Sequence, residues 1–259
     1  MAVTRLVAID VDGTLIDHDW TLPEQRGRAL ERLVATGVRV VLATGKTWPS
    51  IQPLWRRFGL EGPHITCNGA AIVDGDASLL ACTPLPPAVV RTITDELTAR
   101  QVPYALYLDD GSLVTTCRVP ALDILVQLGE PDPTEGSPGG RRVLKVLSVL
   151  REDAEGRLRT LAADVARVQR TSHRFLEWNH PEVDKGVGLR LVAERLGIDL
   201  ADTTAIGDAE NDVPMLEAAG TGIVVVGASP AAILAADRCL TDDLTGALEE
   251  LAVSEEGRR

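Results

Sequence analysis

Two aspartates two residues apart, Asp10 and Asp12, follow the apolar run Leu6-Val7-Ala8-Ile9 and precede Gly13-Thr14-Leu15. Four consecutive apolar residues bounded in this way predict a strand buried on both faces, as in a parallel sheet. In an open α/β sheet, ligands bind at the carboxyl ends of the strands. A strand that delivers paired carboxylates to that edge points to chemistry rather than packing. An oxygen nucleophile and a proton donor are uses open to such a pair.

Three more segments stand out. Thr44-Gly45-Lys46 ends a second apolar run, Lys185-Gly186 opens a helix pattern, and Gly207-Asp208-Ala209-Glu210-Asn211-Asp212 follows a third strand. Singly they are weak signals. An Asp-Gly is usually a turn, and Asn211 and Asp212 alone would suit any helix start, where acidic residues complement the dipole. An isolated lysine at a helix start is usually solvated.

The elements that must position these residues alternate at both ends of the chain. Residues 23–36 predict a helix, because Ala29, Leu30, Leu33 and Val34 form a stripe of period 3.6 that Gly37 ends. Residues 38–43 predict the next strand, which makes a βαβ unit with a parallel pair. A helix over 49–58 and a strand over 64–67 follow, and Asn68-Gly69 reads as a hairpin turn. From about 84 to 181 the order changes: a helix (88–100), strands over 104–108 and 113–116, a Pro/Gly-rich loop (130–140), a strand (143–150), a helix (154–168) and a strand (175–178). That is the order of an α+β layer. Helix and strand then alternate again over 187–196, 204–206, 213–219 and 222–226. The expected fold is α/β: a Rossmann-like doubly wound parallel sheet formed by 1–82 and 183–259, with 83–182 inserted as a smaller α+β domain. The tail after 254 is charged and expected to fray. Prolines 84, 86, 87 and 181 stand where the linkers would be and could stiffen hinges.

Composition narrows the partners. The net charge of −12 argues against nucleic acid and against an anionic membrane surface. No apolar run reaches the ~18 residues of a membrane helix, and no signal-peptide pattern precedes the first strand, so the expected location is cytoplasmic. Cys67, Cys82, Cys117 and Cys239 are scattered without a C-x-x-C pair and read as free thiols.

In order and spacing, the four segments resemble the haloacid dehalogenase superfamily, which consists mostly of phosphatases. The segment inserted between the second and third resembles the subclass IIB cap of its Cof-type branch. The resemblance spans the whole chain and rests chiefly on Asp10-Val11-Asp12-Gly13-Thr14 together with the distant Gly207–Asp212 segment. It implies a magnesium-dependent phosphatase acting on a small-molecule phosphate ester. Asp10 matches the nucleophile that would form an aspartyl-phosphate. Asp12 matches the general acid/base. Thr44, with neighbouring backbone amides, matches a phosphate-oxygen donor, and Lys185 the cation that offsets charge on nucleophile and phosphoryl group. Asp208 matches a Mg2+ ligand beside Asp10 and the Asp12 carbonyl, an all-oxygen set of the kind Mg2+ prefers. Asp212 matches a second acidic position, ligating directly or through water. Gly45, Lys46, Asn68 and Asn211 complete the expected substrate-binding set. Lys46 replaces the arginine of many relatives and loses its bidentate fork; it either touches a substrate anion or is solvated. Asn68 either contacts substrate or only makes the turn.

The inserted segment would select the substrate. Its candidates are Arg118, Arg141, Arg142, Lys145, His173, Arg174 and His180, each of which also fits a solvated face; Tyr104 and Tyr107 also fit packing. With only two Tyr, two Phe and four Trp, an aromatic sandwich for a base is not favoured, and a sugar phosphate is the expected substrate. The alternatives are a phosphomutase of the same fold, which would need a bisphosphate activator, and a phosphate-binding regulator without turnover.

Overall fold

The computed structural model describes residues 4–17, 20–150, 155–172 and 174–256. Strands β1 (Leu6–Asp10), β2 (Arg39–Ala43), β3 (His64–Thr66), β4 (Ala71–Val73) and β5 (Leu79–Cys82) alternate with helices α1 (Glu24–Ala35) and α2 (Trp48–Arg57). Helix α3 (Pro87–Ala99) leads to β6 (Tyr104–Leu108), β7 (Leu113–Thr115), α4 (Asp123–Gln127), β8 (Thr134–Glu135), β9 (Val143–Val149), α5 (Glu155–Leu158), β10 (Arg167–Ser172) and β11 (Phe175–Asn179). The chain closes with α6 (Lys185–Leu196), β12 (Thr203–Gly207), α7 (Val213–Ala218), β13 (Thr221–Val224), α8 (Pro230–Ala235), β14 (Arg238–Cys239) and α9 (Leu244–Glu256).

These strands build two sheets. The first runs β14-β13-β12-β1-β2-β3-β4-β5 and is parallel from β14 through β3, with β4 and β5 added antiparallel. Alternate residues of β1 face opposite layers. Val7 and Ile9 pack with α1 and α9 through Leu30, Leu33, Leu244 and Leu248, whereas Leu6 and Ala8 pack with α6 and α7 through Leu189, Val192, Met215 and Leu216. Burial on both faces is why β1 reads as an unbroken apolar run.

The parallel register sets up the site. Asp10 pairs with Ala43 and Ile9 with Ile206, so the ends of β1, β2 and β12 lie level. Thr44 and Asp208, just beyond those ends, therefore flank Asp10.

The second sheet runs β10-β11-β9-β6-β7-β8. One face packs on α3 through Leu106, Val146, Leu176 and Trp178 against Ile93 and Leu97. By the two-residue period of a strand, Tyr107, Lys145, Leu147 and Glu177 point the other way, toward Asp10.

One expected element differs. The helix expected over 154–168 is four residues long, Glu155–Leu158, and residues 167–172 form a strand instead; Ala154 lies outside the described residues. Ala162 has φ 57°, a left-handed conformation that a helix running through to 168 could not contain. Arg167 to Arg170 pair antiparallel with β11 and lengthen the sheet. The strand is polar enough that its period is hard to read. The short β8 interrupts the 130–140 segment that reads as loop, and α4 precedes it where the sequence suggests no element. Among the described residues, no helix is long and apolar enough to cross a membrane.

Candidate active site

Asp10 ends β1 with 4% of its surface exposed, and Lys185 opens α6 fully buried. Asp184 caps that helix, its Oδ1 accepting from the Val187 amide at 2.7 Å, which fixes where Lys185 enters the site. Lys185 Nζ donates to Asp10 Oδ1 at 2.6 Å and to Asp212 Oδ1 at 2.5 Å. Asp212 Oδ2 accepts from the amides of Asp208 and Ala209 at 3.0 and 2.9 Å, tying the turn after β12 into a loop. Thr14 Oγ1 donates to Asp208 Oδ1 at 2.8 Å.

The electrostatics follow from this packing. Burial, then the Asp212 carboxylate, push the Asp10 carboxyl well above its ordinary range, and Lys185 only partly opposes them. Burial alone would lower the Lys185 ammonium, but Asp10 and Asp212 overcome it and raise its pKa. Burial also raises the Asp12 carboxyl against the pull of Lys46 and Lys185.

Asp10, Asp208 and Asp212 each offer an oxygen, all within 4.8 Å of one another. Three carboxylates around one ammonium leave an excess of negative charge, and hard oxygen donors suit a divalent cation such as Mg2+. The donor set therefore fits Mg2+.

These groups open on a cavity of about 590 Å³ between the two sheets. Asp10, Asp12, Gly45, Lys46, Asp208 and Asn211 line its floor. Opposite them stand Tyr107, Leu147, Phe175, Glu177 and Lys145 of the second sheet, with Ile124, Leu128 and Glu130 to the side.

Not every expected residue faces this space. Thr44 is fully buried, and its hydroxyl accepts from the Lys46 amide at 3.2 Å. Asn68 is buried beneath the floor with φ 60° and ψ 30°. Its Nδ2 donates to Glu177 Oε2 at 2.8 Å and Asn179 Oδ1 at 3.2 Å, and its Oδ1 accepts from Asn211 Nδ2 at 3.1 Å. Asn68 therefore joins the two sheets while also making the turn. Lys46 Nζ donates to the Leu128 carbonyl, lies 3.6 Å from Asp12 Oδ1 and sits over the Trp20 ring at 3.2 Å.

Of the candidates in the inserted segment, Lys145 and Arg174 line the cavity. Lys145 Nζ donates to the Gly45 carbonyl at 2.6 Å and to Glu177 Oε1 at 3.0 Å, a second bridge between the sheets. Arg118, Arg141 and Arg142 instead pair with Asp123 and Asp132, Asp110, and Asp109. His180 Nδ1 accepts from the Glu182 amide. The Tyr104 hydroxyl shares a hydrogen bond with Thr116, whereas Tyr107 lines the cavity. His173 lies outside the described residues. Trp20, Glu130, Glu177 and Thr171 line the cavity without any local signal in the sequence.

Comparison with known proteins bears on the family and the fold. The family model of haloacid dehalogenase-like hydrolases matches residues 7–247. Pyridoxal phosphate phosphatase YbhA of Escherichia coli is 26% identical, over 97% of this chain and 98% of its own. The HMP-PP phosphatase of Cronobacter sakazakii is 31% identical, over 88% and 86%. A solved HAD subclass IIB sugar phosphatase has TM-score 0.84 at 21% identity, covering 96% of this chain and 100% of that one, a likeness of fold.

Proposed function

The chain belongs to the haloacid dehalogenase-like hydrolases, and from that premise we propose a magnesium-dependent phosphatase that hydrolyses a small phosphorylated metabolite through an aspartyl-phosphate on Asp10. One observation carries the reading: Asp10, held by Lys185 among Asp208 and Asp212, opens on the cavity beside Asp12.

In the first step an Asp10 oxygen attacks phosphorus as the bond to the ester oxygen breaks. Asp12, whose raised pKa suits a proton donor, protonates the leaving alkoxide. In the second step Asp12 takes a proton from water, which attacks the phosphorus and releases Asp10 and inorganic phosphate. Lys185 spreads positive charge over nucleophile and phosphoryl group. Thr44 supports the loop whose Gly45 and Lys46 face the phosphoryl oxygens, and Asn211 orients that same edge. Asp10, Asp208 and the Asp12 carbonyl would hold Mg2+, with Asp212 either ligating or acting through water. Bound there, the ion would neutralise the phosphoryl oxygens. Segment 83–182 would act as the inserted cap on a core of 1–82 and 183–259, keeping bulk water from the covalent intermediate.

The small size of the cavity supports a small ester. A sugar phosphate is the class expected from the scarcity of aromatics. A ring-bearing ester is the second reading, favoured by Trp20, Tyr107 and Phe175 in the cavity wall; the two similar phosphatases are named for pyridoxal phosphate and HMP-PP.

The test is phosphate release from a panel of sugar phosphates, ring-bearing phosphates and nucleotides with Mg2+. Release should stop with EDTA and return when Mg2+ is restored. Undiminished release in EDTA would remove the metal from the mechanism. Release only with a bisphosphate activator would favour the phosphomutase. Binding of esters without turnover would favour a regulator.

A further inference from the structure

The cavity wall away from Asp10 holds two buried carboxylates, and their partners differ. Glu177 is matched by a cation, with Lys145 Nζ 3.0 Å from its Oε1. Glu130 takes neutral donors: its Oε2 accepts from the Thr47 amide at 3.3 Å, the Thr47 hydroxyl at 2.7 Å and the Ser50 hydroxyl. Those donors form the N-terminus of α2, a ten-residue helix that begins directly after Lys46 and Thr47. Unpaired amides and the helix dipole make such an end a seat for an anion. Here the anion is a carboxylate of the chain itself, brought from the segment after α4. The nearby cation, Lys46, is already held by Trp20, the Leu128 carbonyl and Asp12. Arg174 stands exposed at the rim. The rest of this wall combines apolar Ile124, Leu128, Leu147 and Phe175 with the hydroxyls of Tyr107 and Thr171, and these two are taken by Glu130 and by Glu177 Oε1.

We propose that Glu130 is a specificity-determining residue. It occupies the anion seat at the start of α2, and the site thereby selects phosphate esters whose alcohol part is uncharged over esters carrying a second anionic group there. The proposal rests on the reading of this cavity as the ester site. A second anion would meet Glu130 in a low-dielectric space, with the donors it needs already taken, and like charges so placed are strongly disfavoured. The same arrangement disfavours a bisphosphate, the intermediate a mutase must hold.

The test uses two probes of equal size, 4-carbamoylphenyl phosphate and 4-carboxyphenyl phosphate, which differ in the charge at the far end of the ring. Their affinities for Asp10→Asn protein with Mg2+, by calorimetry, isolate recognition from turnover. The amide ester should bind at least about tenfold tighter. Glu130→Gln keeps the shape and removes the charge, and should bring the two affinities within about twofold. Glu130→Ser vacates the seat and should reverse the order. Equal affinities in the Asp10→Asn protein, an unchanged ratio in both Glu130 variants, or binding of neither ester would overturn the proposal. Failure of the phosphatase reading would show separately, as no phosphate release by the parent from either ester while the binding difference stands.

Discussion

Lys185 sits between two buried carboxylates, Asp10 and Asp212. Removing one partner of a buried pair leaves charge without compensation, which costs about 3–5 kcal/mol. Lys185→Met should therefore lose about that much stability in denaturant titration and at least about a hundredfold in phosphate release. A variant as active as the parent would remove Lys185 from the mechanism. A second prediction concerns His64, fully buried and stacked 4.7 Å from Trp55, with Nδ1 accepting from the Leu42 amide at 3.1 Å. Burial lowers its pKa to about 4, against about 6.5 in an unfolded chain. Between these values the unfolded chain binds a proton that the folded chain does not. His64 therefore contributes stability that is fully present above about pH 6.5 and lost as pH falls toward 4, about 3 kcal/mol in all. His64→Asn should flatten the fall in unfolding free energy between pH 7 and 4.5; an unchanged slope would contradict the assignment. At this scale the sequence was legible where residues stand next to one another. Asp10 and Asp12 stand out by their spacing after an apolar run, and Asp208 and Asp212 by the resemblance that joins their segment to them. Glu130 and Glu177 do not, because Thr47 and Ser50, which hold Glu130, and Asn68 and Lys145, which hold Glu177, are brought to them from other elements by the fold. Arg26 shows the same limit: it lies buried in α1 and bonds the Thr14 and Leu15 carbonyls at 3.1 Å, yet reads as an ordinary helix charge.

The elements position these residues through a few close approaches. Gly69 has φ 94°, and a Cβ there would lie 2.2 Å from the Asp184 carbonyl oxygen. The turn after β3 thus presses on the residue that caps α6, one position before Lys185. Gly69→Ala should destabilise by about 1–3 kcal/mol and lower phosphate release by displacing Lys185. Asp184→Ala, which removes the cap and the 3.1 Å ion pair to Arg167, should cost about 1–2 kcal/mol. Thermal melts and rates of the two variants check this; an unaltered Gly69→Ala protein would contradict the close approach. The strands and helices around the first sheet were legible because their periods are clean: β1 is wholly apolar and α1 carries a stripe. The 154–168 region was not. Its apolar residues suit a helix, but Gln169 and Thr171 belong to a strand whose polar face looks onto Glu177 and the cavity. A strand that faces a functional cavity loses the apolar alternation by which strands are recognised.

Across the whole molecule, two sheets enclose one cavity and are fastened by polar bridges rather than a shared core alone. Lys145 to Gly45, Glu177 to Asn68, and Asn179 Nδ2 to the Cys67 carbonyl at 3.1 Å run from the second sheet to loops of the first. The bridges end on the loops that carry Gly45 and Asn68, so the apposition of the two sheets and the site geometry are coupled. Lys145→Met should lower kcat/KM about tenfold or more and, by leaving the buried Glu177 carboxylate without its cation, lower stability as well; equal kcat/KM would show that the bridges only pack. The interruption of one alternating pattern by another was legible from element order, but which faces would meet was not, because no local pattern encodes the apposition of Tyr107 and Lys145 with Asp10. The proposed mechanism turns on Asp10 as nucleophile. The direct measurement is rapid acid quench of the Mg2+-loaded enzyme during turnover of a phosphorus-labelled ester, followed by peptide mapping. The account predicts label on the peptide containing Asp10, and neither label nor turnover in Asp10→Asn. Turnover without labelled protein, or label on another residue, would contradict it.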